Sequence, residues 1–394
     1  MPEHTAESAP RPGPERAHGG RPRPEGVLVI DKPQGPTSHD VVARLRRALG
    51  VKRIGHAGTL DPMASGVLVV LVGEATKLAP YLTAQDKRYT ARVVLGVGTD
   101  TLDADGEVTA TQPLPAWLDE ELGALAADGV PAGVEALAAA APRIAAALDA
   151  ERARRAQTPP AYSAIKVAGQ RSYALARAGQ AVDLSARPVE VRSIALAGAW
   201  RGEPGPRAGV PAAGAAPAAE AAPATGTEPA AGTEPAALEL ELDVSKGYYV
   251  RSLARDLGAH LDVPAHLSAL RRTASGAFTL EQAVRLDAGA EALRAAIRPL
   301  AEAASSSLPV ARLTEHGARR ARLGQTLTAS DFSVAPAHSG AAVWLDPEGH
   351  VVALGAPEVA DDTGADSSPT PSEARFSVLR GFSGSVDVRE NPAV

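Results

Sequence analysis

Residues 55–66 read Gly55-His56-Ala57-Gly58-Thr59-Leu60-Asp61-Pro62-Met63-Ala64-Ser65-Gly66 and run directly into the apolar stretch Val67-Leu68-Val69-Val70-Leu71-Val72. Three glycines and one proline in twelve residues describe a tightly constrained loop rather than a solvated linker. Glycine opens backbone conformations closed to other residues, and proline fixes its own φ. The apolar run reads as a buried strand and is far shorter than the roughly 20 residues that span a bilayer. Asp61 precedes a proline, which biases its backbone to extended conformations. A carboxylate held on such a turn beside an apolar strand suits a nucleophile or general base. The competing reading is an Asx turn in which Asp61 only caps the backbone.

Upstream, Gly26-Val27-Leu28-Val29-Ile30 reads as the first strand, and residues 1–25, rich in Pro, Gly, Arg and Glu, read as a disordered arm. Downstream, Tyr89 to Leu95 has partial strand alternation, and Leu238 to Val244 alternates strictly, as a half-exposed strand does. Helical patterns cover Trp117 to Leu125, Val134 to Arg155, Ser252 to Leu261 and a linking segment from Leu286 to Ala304. Between Arg201 and Ala237 the chain is Ala/Pro/Gly-dominated and repeats Gly-Thr-Glu-Pro-Ala-Ala, the mark of a flexible surface insertion between two strands. The pattern predicts an α+β fold: a domain over 26–304 interrupted by the 201–237 insertion, then a small β-rich domain over 305–394 containing a flexible acidic loop at 356–374.

The 394 residues contain no cysteine, which removes disulfides, thiol nucleophiles and cysteine-based metal sites. The first twenty residues lack an apolar segment of the kind secretion requires, so a soluble cytoplasmic protein is expected. The formal net charge is −6, of which the 201–237 insertion carries −2 and the Glu358–Glu373 stretch −5, leaving about +1 for the remainder. Charge therefore neither demands nor forbids a polyanionic partner. Thr101-Leu102-Asp103-Ala104-Asp105-Gly106 superficially resembles a calcium loop, but it starts on Thr and has Gln112 where the bidentate Glu belongs. The nine histidines include no His-x-x-x-His pair. No metal and no cofactor are expected.

Aromatic residues make up only 3% of the chain, yet all six tyrosines fall between Tyr81 and Tyr249. Tyr89 follows Asp86-Lys87-Arg88, Tyr162 lies four residues before Lys166, and Tyr248-Tyr249 stands between Lys246 and Arg251. Aromatic rings beside cations suit a site that stacks bases and neutralises phosphates.

These segments, taken together, closely resemble the bacterial TruB family of tRNA pseudouridine synthases, which act on uridine 55 of the T-loop. The resemblance rests on Gly26 to Asp40 (Gly-Val-Leu-Val-Ile-Asp-Lys-Pro-Gln-Gly-Pro-Thr-Ser-His-Asp), on the Gly55 to Gly66 block, and on Gly73-Glu74-Ala75-Thr76-Lys77. In the family's order follow Asp86 to Tyr89, Gly98 to Gly106, Tyr162 to Lys166, Ser245 to Arg251 and Leu270-Arg271-Arg272. The likeness runs from about Gly26 to Phe278; the C-terminal part is similar to small RNA-binding domains of PUA type. The resemblance implies a pseudouridine-synthase core with a central mixed, largely antiparallel sheet. It implies that Asp61 is the catalytic aspartate, Tyr89 the ring that stacks on the target uracil, and Arg251 the partner of the carboxylate. Tyr249 and Leu270 would complete the pocket wall, His56 would be the loop histidine against the flipped nucleotide, and Lys77 would lie near the RNA backbone.

Isomerising uridine breaks the N1–C1′ bond, turns the uracil and rejoins it through C5, with no redox step and no group supplied from outside. The implied partner is the T-arm of tRNA, and the implied state a monomer without membrane contact. A second reading is a tRNA-binding or RNA-chaperone protein that needs no catalysis. A glycosidase would require a second cooperating carboxylate, which the resemblance does not place beside Asp61.

Overall fold

The computed structural model describes residues 24–163, 165–167, 170–177, 184–201, 236–336, 339–358 and 374–383. The expected N-terminal arm up to residue 23, residues 202–235 of the insertion and residues 359–373 of the acidic loop lie outside the described residues.

A nine-stranded sheet organises the larger part of the chain. Its strands run in the order Val191–Arg201, Ala236–Val244, Lys87–Leu95, Ala265–Ser275, Ser65–Val72, Gly26–Lys32 and Val284–Arg285, with Phe278–Thr279 and Ile54–Ala57 paired at the side. Only the Ala265–Ser275/Ser65–Val72 and Gly26–Lys32/Val284–Arg285 pairs are parallel, so the sheet is mixed and largely antiparallel, as the resemblance implied. Ala265–Ser275 is the middle strand of this path, and Ser65–Val72 and Gly26–Lys32 follow it, paired in the register Ile30↔Leu68. Because side chains alternate along a strand, the two form two separate cores. Leu28, Ile30, Leu68, Val70 and Val72 pack with Val41, Leu45 and Leu49 of the helix Ser38–Leu49. Val27, Val29, Val67, Val69 and Leu71 face the other way, onto Phe278, Ala303, Val343, Leu345, Leu354 and Phe382. Burial on both faces explains why the Val67–Val72 run carries no polar alternation.

The second core joins the sheet to a C-terminal six-stranded sheet of order Leu327–Thr328, Arg375–Gly381, Val351–Pro357, Ala342–Leu345, Val310–Leu313 and Phe332–Val334. Its own core gathers Phe332, Trp344 and Phe376, with Trp344 fully buried. The fold class is α+β with a β-rich C-terminal part. Among the described residues no helix is long and apolar enough to cross a membrane.

Three local expectations are corrected. The Gly55–Gly66 block is not all loop: Ile54–Ala57 is a strand paired with Ser65–Val72, so His56 sits on a strand opposite Val70. The helix expected over Val134 to Arg155 divides into Val134–Ala140 and Pro142–Arg152, because Pro142 has no N–H to continue the ladder and Ala141 turns out to φ −145°. The linking helix divides likewise, into Ala290–Ala295 and Leu300–Ser305, at Pro299.

Arg201 and Ala236 are directly paired across adjacent antiparallel strands, so residues 202–235 close a hairpin. Arg201, Ala236 and Ala237 are strand residues, the two alanines buried. Replacing residues 202–235 by Asn-Gly, a two-residue hairpin turn, is expected to leave the thermal midpoint within a few degrees, since loop closure costs vary only slowly with length. Differential scanning calorimetry checks this, and loss of soluble folded protein would show that the segment supports the sheet.

Candidate functional site

Asp61 is placed by a loop that two buried cations hold from beneath. Lys32, 0% exposed, donates from Nζ to the carbonyls of Pro33 (2.9 Å), Pro62 (3.3 Å) and Ala64 (2.7 Å). Arg272, 1% exposed, donates from Nε to Val67 O (2.7 Å), from Nη1 to Thr59 O (3.3 Å) and from Nη2 to Gly58 O (3.0 Å). Carbonyl acceptors satisfy both groups, which a buried cation requires. The Ser38 hydroxyl donates to Leu60 O (3.1 Å) and accepts from Leu60 N (2.9 Å), fastening the loop to the first turn of the helix Ser38–Leu49. Thr37 and Asp40 fix that helix start through a reciprocal capping box. Gly66, at φ +99°, cannot be replaced cheaply: a Cβ there would meet the Arg272 carbonyl oxygen at 2.2 Å. Burial pushes the Lys32 amine down to about 8 against the opposing pull of Asp61, and burial followed by the Arg272 charge does the same to Lys87.

Arg251, in the first turn of the helix Val250–His260, comes to this loop from 190 residues away. Its Nε donates to Asp61 Oδ2 at 2.9 Å, Nη1 to Thr101 O at 3.0 Å and Nη2 to Tyr162 O at 2.8 Å. The guanidinium therefore grips the carboxylate through one N–H and uses the rest of its fork to tie two neighbouring segments together. Asp103 Oδ2 lies 3.6 Å from the same Nε. Burial pushes the Asp103 carboxyl up, while the Thr101 hydroxyl (2.5 Å), the Arg251 charge and the Asp105 amide (3.2 Å) hold it the other way. The 101–106 segment is thus a self-bonded turn around Asp103. That carboxyl is already committed to its own turn, unlike the free second acid a glycosidase needs.

Asp61, Tyr89, Arg251, Tyr249, Leu270 and His56 all line one cleft of about 1020 Å³. Tyr89 stands on the strand Lys87–Leu95, half-buried, opposite Arg272 and Leu242. Leu270 is paired with Ala91 on the neighbouring strand. His56 sits edge-to-face with His39 at 5.5 Å, and burial, then His39 and Arg272, lower its imidazole below the ordinary value. Five of the six tyrosines line the cleft, but they do different things. Tyr248 is buried and donates to Glu151 Oε1 at 2.7 Å, a structural bond, and Tyr162 donates to Asp100 Oδ2 at 3.1 Å. Tyr173, not singled out in the sequence, is an exposed ring on the cleft wall. Lys32, Asp103 and Arg272 also went unassigned, although each lies inside one of the motifs read.

Lys77, expected near the RNA backbone, does not line the cleft. It pairs with Glu74, donates to Gly381 O at 2.6 Å and lies over the Phe382 ring at 5.2 Å, so it joins the larger sheet to the end of the C-terminal one. Lys77→Met is expected to lower the thermal midpoint by a few degrees, from the loss of its charged bonds to Glu74 and to Gly381 O, with kcat at saturating RNA within about twofold. A large fall in kcat with unchanged stability would return Lys77 to the site.

The chain matches the model of the TruB family pseudouridylate synthase N-terminal domain over residues 46–130 and 133–202, and that of the tRNA pseudouridylate synthase B C-terminal domain over residues 251–305. It is 41% identical to the tRNA pseudouridine synthase B of Thermobifida fusca over 330 residues, covering 84% of this chain and 94% of that protein. It is 40% identical to the protein of that name from Mycolicibacterium paratuberculosis, over 84% of this chain and 93% of the relative. Among solved structures, the crystal structure of a Cbf5-Nop10-Gar1 complex superposes with a TM-score of 0.58 at 22% identity, covering 92% of this chain and 87% of that one. An H/ACA RNP bound to a substrate RNA containing 2′-deoxyuridine gives 0.56 at 21%, over 92% and 88%. These structures share the fold.

Proposed function

The chain belongs to the TruB family of pseudouridylate synthases, and from that premise we propose that this isomerase converts uridine 55 in the T-loop of tRNA to pseudouridine, with Asp61 as its catalytic carboxylate. The observation that carries the reading is the 2.9 Å Asp61–Arg251 pair set in a cleft walled by tyrosines. A protein that only bound RNA would gain nothing from a carboxylate facing a polyanion.

The uracil must leave the RNA stack to reach Asp61, at a cost of a few kcal/mol. Stacking on the Tyr89 ring recovers about 1–3 kcal/mol of that. Arg251 then holds the carboxylate at a set direction, and its bonds to Thr101 and Tyr162 keep the guanidinium from following the substrate. Attack at C1′, attack on the ring and removal of a sugar proton share one requirement, an acid group aimed at the nucleoside. Burial pushes the Tyr249 hydroxyl up, so it remains a neutral wall beside Asp61. Leu270 closes the apolar side, His56 packs against the space the nucleotide vacates, and the C-terminal sheet serves as the RNA-binding part. The protein acts as a monomer in the cytoplasm.

Incubation with an unmodified tRNA transcript, followed by chemical mapping of pseudouridine, tests the reading. The expected result is one modified position, uridine 55, with no product on a transcript carrying cytidine there. Modification elsewhere, or none, would overturn it.

A further inference from the structure

The segment from Ala43 to Ile54 holds five cations, Arg44, Arg46, Arg47, Lys52 and Arg53, and no acid, in a chain whose net charge is −6. The structure divides these cations by task. Arg46 donates to Ile54 O at 2.8 Å, and Arg53 is engaged by Glu74 and Thr76. Arg44, Arg47 and Lys52 are exposed and make no hydrogen bond or ion pair among the described residues. Val41, Leu45 and Leu49 turn the opposite side of the helix into the core, so Arg44 and Arg47, three residues apart, must face outward. Asp40, which feels the Arg44 charge, accepts from the backbone and hydroxyl of Thr37, and Glu74 is paired with Arg53 and Lys77.

The helix also begins at the cleft. Thr37, Ser38 and His39 line its rim, and His39 rests against His56. From His39 to Arg47 the helix rises about 12 Å, the length of roughly three stacked nucleotides. The helix packs on one face of the central sheet and the C-terminal strands pack on the other. A strand of RNA leaving the cleft past His39 would therefore meet these cations without touching the C-terminal part.

We propose that Arg44, Arg47 and Lys52 form a phosphate track that holds the substrate RNA backbone outside the target nucleotide. The inference rests on the functional reading above for the identity of the RNA. Each phosphate neutralised releases condensed counterions, so the track has a measurable signature in the salt dependence of binding.

The test compares the wild type with the Arg44→Gln/Arg47→Gln/Lys52→Gln triple variant and with Arg44→Lys/Arg47→Lys, which keeps the charge. The probe is a labelled T-arm hairpin, titrated by fluorescence anisotropy from 50 to 400 mM salt. At 100 mM salt the triple Gln variant is expected to bind about tenfold more weakly, with the slope of log K against log salt reduced by about 2 to 3. In single-turnover assays the loss falls on the half-saturating protein concentration rather than the limiting rate. The lysine variant is expected to keep the wild-type slope, which a purely structural role for the two arginines would not give. An unchanged slope in the triple variant, or a lysine variant as weak as the Gln variant, would overturn the track. The binding measurement needs no turnover, so an inactive wild type would strike at the functional reading and leave this test standing.

Discussion

Asp61→Asn is expected to abolish pseudouridine formation, by at least about 10⁴-fold in the single-turnover rate, while affinity for tRNA stays within about threefold. Asparagine keeps the size of the side chain and can still accept from Arg251 Nε through its carbonyl oxygen. The guanidinium also keeps its bonds to Thr101 O and Tyr162 O, so the loop and both walls remain where they are. What is lost is the negative oxygen that must act on the nucleoside. Binding does not suffer, because removing a negative charge from a cleft that receives RNA lowers repulsion. Anisotropy with a T-arm hairpin, run beside product mapping on the same preparation, separates the two effects. Turnover near the wild-type rate would remove Asp61 from the chemistry, and with it the functional reading.

How much of this site was legible depended on whether the information was local. The Val67–Val72 run reads as a buried strand from its apolar residues alone, and the two cores show it buried on both faces. His56 was read as a loop residue because Gly55 and Gly58 flank it. Four residues of strand between glycines have no periodicity to detect, and only the pairing with Ser65–Val72 makes them one. The divided helices were legible in principle, since Pro142 and Pro299 are in the sequence. Alanine-rich propensity summed over a long window hid them.

Contacts between distant segments are a different case. Nothing local in Arg251 points to Asp61, 190 residues earlier, and that pairing was available only through the family resemblance. Lys77 is a further case: its motif says nothing of the contact it makes with a carbonyl 304 residues later in the C-terminal sheet. Lys32 and Arg272 were missed because charged residues are seldom fully buried. Their partners are backbone carbonyls of the Asp61 loop, which leave no trace in side-chain patterns.

Arg251→Lys carries the second large effect, since it tests the fork rather than the charge. An ammonium is a single donor point on a flexible stem and cannot reach Asp61, Thr101 and Tyr162 together. Losing two charge-assisted bonds of about 1.5–3 kcal/mol each predicts a fall in the limiting rate of roughly 10² to 10⁴, with little change in RNA affinity. The cost should also appear in stability, through Asp103. Burial already raises that carboxyl, and the Arg251 charge is one of the groups holding it down. The lysine ammonium keeps the charge but, on a flexible stem no longer fixed by Thr101 and Tyr162, holds it less closely against Asp103. The folded-state proton affinity of that carboxyl therefore rises further, and the folded protein holds more protons than the unfolded chain over the acid range. Stability then falls as pH rises through that range and recovers as pH is lowered. Urea denaturation of both proteins should accordingly show the largest deficit of Arg251→Lys at neutral pH and a gap that narrows as the pH is lowered into the acid range. A gap that stays constant or widens on acidification would mean that Arg251 does not compensate Asp103. A limiting rate within about threefold of wild type would mean that charge alone, without direction, suffices at Asp61.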